Sequence, residues 1–240
     1  MCIKKDTLIL IIKKKIKVKF EVEENAISVF LNPYSYLKIR RDKSVLNYVD
    51  NIYVDGIALI KILKIFKINN VKRYSFDYTS IAELVFKKGR DEKKKIAIIG
   101  STKENVYSFT EHLKMKYEGI NVTYFHEGFF EDEEEKIKVI NNTLKADIVI
   151  CGMGTPLQEK FMKDLRINGF TGSGYTCGGF IHQTASTGGE YYPKIFNRLN
   201  IRFIYRMYDE PKLIKRYLMD YPLFLIYFLK DYYTDKIKHK

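Results

Sequence analysis

Short apolar runs rich in Ile and Val recur along this chain and alternate with longer stretches whose apolar residues return every third or fourth position. Ala26 to Leu31, Ile52 to Val54, Lys95 to Gly100, Asn121 to Phe125 and Ile148 to Cys151 read as strands. Ser35 to Arg41, Ile57 to Phe66, Glu104 to Tyr117 and the acid-started run from Glu131 to Leu144 read as the helices between them. Thr7 to Val22 reads as two short strands or a bent hairpin, because Lys13 to Lys19 alternate charge with Ile and Val. Strands alternating with helices predict an α/β fold, although periodicity does not supply the strand order. Gly169 to Ile181 is glycine-rich and short-stranded, and from Arg198 onward basic and aromatic residues dominate to the end.

Ala146 to Met162 organises the rest. Its apolar run ends at Gly152-Met153-Gly154, and Thr155-Pro156 offers a helix start with Thr155 as N-cap and Pro156 first in the helix. A strand, a glycine turn and a helix N-terminus make an anion site, because free N–H groups and the helix dipole converge there. An ordinary turn without a ligand reads the same way on the glycines alone; the spacing G-x-G-x-P-x-Q-E is more specific. By contrast, only Gly100 follows the strand at Lys95 to Gly100, which disfavours a dinucleotide fingerprint.

Charge narrows the partner. Forty-two Lys and Arg against 29 Asp and Glu leave +13, which calls for nucleic acid, an anionic membrane surface or a phosphorylated substrate. The basic residues are scattered over many elements, whereas a nucleic-acid reader would gather them in one stripe with exposed aromatics. Three cysteines without a CxxC pair suit a reducing compartment. Leu8 to Ile12 is too short for a signal-peptide core, and no run approaches the roughly 20 apolar residues that span a bilayer. A cytoplasmic protein touching a membrane only at its surface is expected. No histidine has a second His or Cys at metal-binding spacing.

Read together, the motifs resemble the WecG/TagA/CpsF glycosyltransferases, bacterial enzymes that move a sugar from a UDP donor to a lipid-diphosphate-linked sugar. Besides the G-x-G-x-P-x-Q-E stretch, the resemblance runs through Asn32-Pro33, Asp55-Gly56, Arg73, His126 to Phe130, and the tail L-N-I-R-F-I-Y-R-M-Y-D-E-P-K-L-I-K-R-Y. It departs at Phe30, where the family has Thr, at Phe76, where it has Gly, and at Ile181, where it has Asp; Phe76 leaves the register of Asp77 open. The resemblance implies a mostly parallel central sheet with helices on both faces in residues 1–197, and a helical, membrane-associating appendage in 198–240. It also implies an inverting transferase, in which Asp55 takes the proton of the acceptor hydroxyl as it attacks the anomeric carbon. On the residues alone, Asp55 reads more readily as a helix N-cap, and it is the resemblance that reverses that order.

Under the same resemblance the donor is a UDP-sugar, of N-acetylhexosamine type, and the acceptor a polyprenyl-diphosphate-linked sugar of a cell-surface polysaccharide. Neither cofactor nor metal is expected, since no Asp-x-Asp is present among these motifs. Gly152, Gly154, Pro156, Gln158 and Glu159 would form the donor turn, with Asn32, Gly56 and Arg73 beside it. His182 and Gln183 would offer the polar groups that Ile181 does not, and Arg202, Arg206, Lys212, Lys215 and Arg216 would close over the diphosphates from the tail. The aromatic tail would rest on the inner face of the cell membrane or form a subunit interface in a homo-oligomer. A sugar-nucleotide-binding relative without catalysis, or a basic nucleic-acid-binding protein, are the alternatives.

Overall fold

The computed structural model describes residues 6–68, 70–188, 196 and 202–238, without the side chains of Arg202, Phe203 and Lys212. Six strands form one sheet: β1 (Ile27–Leu31), β2 (Asn51–Val54), β3 (Ile96–Gly100), β4 (Val122–His126), β5 (Ile148–Gly152) and β6 (Ser173–Thr176). Their spatial order is β2-β1-β6-β5-β3-β4, with every pairing parallel. Strands β1, β3 and β5 are buried at every position, as a sheet covered on both faces requires, while the edge strand β4 is half open to solvent.

Side-chain alternation divides the core in two. Ile27, Val29, Leu31, Ala97, Ile99, Val149 and Cys151 point to one face, and Phe30, Ile96, Ile98, Ile148 and Ile150 to the other. The first face is covered by α1 (Leu8–Lys15), α2 (Pro33–Arg41), α3 (Ile57–Ile65), α6 (Glu133–Thr143) and α7 (Leu157–Ile167). The second is covered by α4 (Ala82–Asp91), α5 (Lys103–Lys116) and α8 (Phe180–Thr187). The expected α/β sheet with helices on both faces is therefore the observed one.

The N-terminus corrects the hairpin reading: Leu8–Lys15 is a helix. Leu8, Ile9, Ile11 and Ile12 are buried together at helical spacing, Thr7 caps the first turn by accepting from Leu10 N at 3.2 Å, and three lysines close the last turn. One buried face outweighs the strand preference of the β-branched residues. Only beyond it does Ile16 reach the sheet, as a single bridge to Ile52.

After α8 the described chain resumes in α9 (Arg202–Asp209) and α10 (Lys212–Lys215); a wider π turn, Arg216–Asp220, then leads into α11 (Tyr221–Lys238). The expected boundary at 197/198 lies outside the described residues. Helix α11 shares the first core: Phe224 and Phe228 pack on Tyr36 with ring centroids 5.2 and 5.7 Å away. Arg40 grips Asp231 through Nε at 2.7 Å and Nη2 at 2.8 Å, and buried Asp235 bonds Thr7 and Lys13. No helix among the described residues is long and apolar enough to cross a membrane.

Candidate active site at the carboxyl ends of the strands

Strand β1 lies between β2, which follows it in the chain, and β6, which comes last, so a crevice opens at their carboxyl ends. A cleft of about 290 Å3 occupies it, lined by residues following β1, β2, β5 and β6 and by Arg206 and Arg216 from the tail.

Each wall follows from local chemistry. Asn32 ends β1 and caps α2 in a capping box: its Oδ1 accepts from Ser35 N at 3.0 Å while Ser35 Oγ accepts from Asn32 N at 2.7 Å. With Oδ1 spent on the cap, the amide NH2 is what Asn32 offers the cleft. Asp55 follows β2 and is held by its own N–H donating to Leu31 O at 2.8 Å. It is not the N-cap; that position falls to Gly56, which makes no side-chain cap. The Asp55 side chain, 35% exposed, lines the cleft.

The resemblance puts Arg73 at the donor diphosphate. The fold bridges it to Val54 beside β2 and places its Nε 3.6 Å from Asp55 Oδ1. Its Nη2 donates to Ser75 Oγ at 3.1 Å, and Ser75 Oγ donates to Asp77 Oδ2 at 2.8 Å. A chain of charge-assisted contacts thus ties Asp55 to a second cleft carboxylate. Asp77, whose register the sequence leaves open, lines the cleft; it also accepts from Thr79 N at 2.9 Å in a tight turn. The S-F-D-Y-T-S string carries the signal for that turn.

The glycine turn behaves differently from its expectation. The Thr155-Pro156 peptide is cis, Pro156 takes the N-cap position and α7 starts at Leu157, so Thr155 is not the cap. Thr155 Oγ1 instead donates to Glu159 Oε1 at 3.1 Å, and Gln158 Nε2 donates to the same oxygen at 3.0 Å. Gln158 Oε1 accepts from Gly178 N at 3.0 Å, so the Gln-Glu pair stitches the turn after β5 to the turn after β6. Glu159 is 1% exposed, its Oε2 has no hydrogen-bond partner, and burial pushes its carboxyl up. It is therefore internal, while Gly154, Thr155 and Gln158 line the cleft. Gly152 is a packing requirement: a Cβ there would sit 2.7 Å from Ile181 Cδ1 and 3.0 Å from Cys177 Sγ.

The tail supplies the positive charge. Arg216 stacks its guanidinium on Tyr34, Cζ 3.4 Å from the ring centroid, and burial lowers its pKa. Arg206 Nη2 lies 3.2 Å from Glu210 Oε1 and joins Arg216 in lining the cleft. Lys215 is exposed and does not line it. The Arg202 and Lys212 side chains lie outside the described residues. Gln183 lines the cleft, but His182 faces outward from α8 with its Nδ1 3.1 Å from Asn105 Nδ2. Asn32, Asp55, Gly154, Gln158, Gln183, Arg206 and Arg216 are thus brought together; Gly56, Gly152, Pro156 and Glu159 build the frame, and His182 stands apart. Tyr34 and Asp77 complete the wall.

A profile described as "Glycosyl transferase WecG/TagA/CpsF family" matches residues 8–238. Among characterised proteins, the chain is 40% identical over 203 residues to the UDP-Gal:alpha-D-GlcNAc-diphosphoundecaprenol beta-1,4-galactosyltransferase of Shigella boydii. The alignment covers 84% of this chain and 85% of that protein.

Proposed function

We propose that this chain, which belongs to the WecG/TagA/CpsF glycosyltransferase family, transfers a hexose from its UDP derivative to a sugar carried on a polyprenyl diphosphate. The observation that carries the reading is one cleft that holds a carboxylate, Asp55, together with two guanidiniums, Arg206 and Arg216. Galactose, the sugar in the Shigella relative's name, is the favoured donor sugar, in place of the N-acetylhexosamine that the motifs imply.

The acceptor hydroxyl oxygen bonds to the anomeric carbon from the face opposite the UDP oxygen. Asp55 takes the hydroxyl proton as the new bond forms, the bond to UDP breaks, and the configuration inverts. Arg73 at 3.6 Å orients Asp55, a positioning role. Negative charge grows on the departing diphosphate. Arg206, Arg216 and the N-terminal turn of α7 stabilise it there, more strongly than they bind the ground state. These cations supply the countercharge, so the reaction needs no divalent metal.

The lipid acceptor calls for membrane contact, and α11 presents a face for it. Met219, Leu223, Ile226, Lys230, Tyr233 and Ile237 recur at helical spacing opposite buried Phe224 and Phe228, with Met219 59% and Ile226 62% exposed. Leu218, 69% exposed, extends the row. A row of this kind with lysines beside it suits the interface of an anionic bilayer.

The test is UDP release from UDP-galactose with and without a short-chain lipid-diphosphate N-acetylglucosamine acceptor. Acceptor-dependent release that falls by about 10²- to 10⁴-fold in Asp55→Asn, with UDP inhibition retained, is the expected result. Undiminished turnover in Asp55→Asn would remove the base assignment.

A further inference from the structure

Three aromatic rings form a floor within the otherwise polar cleft. Phe30, Phe76 and Phe180 all line it, yet they are only 8%, 4% and 4% exposed, so what little they show is turned toward the cavity. They form one packed unit: the Phe30 and Phe76 centroids are 6.1 Å apart at 70°, and those of Phe76 and Phe180 are 5.6 Å apart at 70°. Tyr53 backs Phe30 in a stacked arrangement at 5.6 Å, and Tyr175 backs Phe76 at 5.6 Å. The floor is therefore rigid. Polar groups stand around it: Ser75 lies between Arg73 and Asp77, Asn32 Oδ1 caps α2, and Thr176 also lines the cleft.

Its position fixes which part of a substrate meets it. Phe30 lies two residues before Asn32 on β1, and the β1–β2 register sets Leu31 beside Val54, so Phe30 lies on the strand next to the one that ends at Asp55. Phe76 lies between Ser75 and Asp77, which also line the cleft. Asp55 and these rings line the same cleft, so a sugar attacked by a hydroxyl bonded to Asp55 comes within reach of the floor. An acceptor arriving on a lipid comes from the open mouth, which leaves the buried floor to the donor ring.

We propose that Phe30 and Phe76 are donor-selecting residues, and that their aromatic floor restricts the enzyme to an uncharged hexose without an acetamido or carboxylate substituent. This rests on the UDP-sugar reading above. The C–H groups of a plain hexose can lie on carbon without loss. The rings themselves return neither donor nor acceptor to an acetamido group or a carboxylate pressed against them, a cost of about ten- to hundredfold in reactivity.

The experiment compares kcat/KM for UDP-galactose, UDP-N-acetylgalactosamine and UDP-galacturonate in the wild type, Phe30→Thr and Phe76→Ser, alongside the inhibition constant of UDP. The wild type should favour UDP-galactose over both substituted donors by at least about tenfold. Each variant should narrow that ratio by about tenfold while UDP inhibition stays within about threefold. Equal use of all three donors by the wild type overturns the proposal, whether or not the variants fold. A change in acceptor KM with the donor ratio intact also overturns it, by giving the floor to the acceptor. Absence of release from every donor would instead strike the transferase reading itself.

Discussion

Tyr34 should act on transfer only through Arg216. The guanidinium carbon lies 3.4 Å from the Tyr34 ring centroid, the contact is largely buried, and both residues line the cleft. A desolvated cation–π contact of this kind is worth about 2 kcal/mol. Without the ring, Arg216 samples positions that do not face the leaving diphosphate, and that energy is removed from the transition state. At 1.36 kcal/mol per decade, Tyr34→Ala should lower kcat/KM for the UDP-sugar roughly thirtyfold. Tyr34→Phe keeps the face and should stay within about threefold of wild type, which separates the ring from the hydroxyl. The decisive assay is the double-mutant cycle with Arg216→Ala: because Tyr34 has no direct part in the chemistry, Tyr34→Ala should cost little more once Arg216 is gone. Additive losses, or a Phe variant as impaired as the Ala variant, would refute the argument.

Glu159 gives a prediction in pH. Burial raises its folded-state pKa, so the folded protein holds the proton more tightly, and stability should fall as pH rises from the ordinary carboxylate range through the raised value. Glu159→Gln keeps an acceptor for Thr155 and Gln158 and should flatten that slope in urea titrations; an unchanged slope would show that Glu159 is not its source. On the outer face of α11, Ile226→Glu should weaken binding to vesicles containing anionic lipid by at least about tenfold in cosedimentation, with the circular dichroism melt unmoved. Transfer should persist in excess chelator; a tenfold loss restored by magnesium or manganese would show that the two arginines do not suffice.

How much of this is legible in the sequence depends on whether the information is local. Strands β1 to β5 and their helices appear where apolar spacing puts them, because burial on both faces leaves continuous Ile and Val runs. The N-terminal helix reads wrongly as strand because its β-branched composition masks the 8, 9, 11, 12 spacing, and the core that decides the matter reaches as far as Phe224 and Phe228, more than 200 positions away. Thr155 looks like a cap because caps are judged from the nearest few residues. Its hydroxyl is instead drawn to Glu159, whose burial no local pattern reports. Arg73 stands out in the sequence only through its motif, and nothing local reports the bridge between residues 54 and 73 that sets it beside Asp55.

The same distinction explains Phe30 and Phe76. Taken singly along the chain, each is a departure from the family pattern, a ring in place of a hydroxyl at one position and of a glycine at the other, and together they suggest a site falling out of use. In the fold they touch, 6.1 Å between centroids, and Phe180 closes the row next to Ile181. A Gly at 76 opposite Phe30 would leave a hole beneath the cleft, and a Thr at 30 opposite Phe76 would leave a buried hydroxyl facing rings. Either change alone is unfavourable, whereas the pair is well packed. Meanwhile Asp55, Arg73, Arg206 and Arg216 keep their places around it. Decay of a catalytic site gives no reason for a charged rim around a floor packed as one unit, whereas the proposed selection of a plain hexose accounts for both.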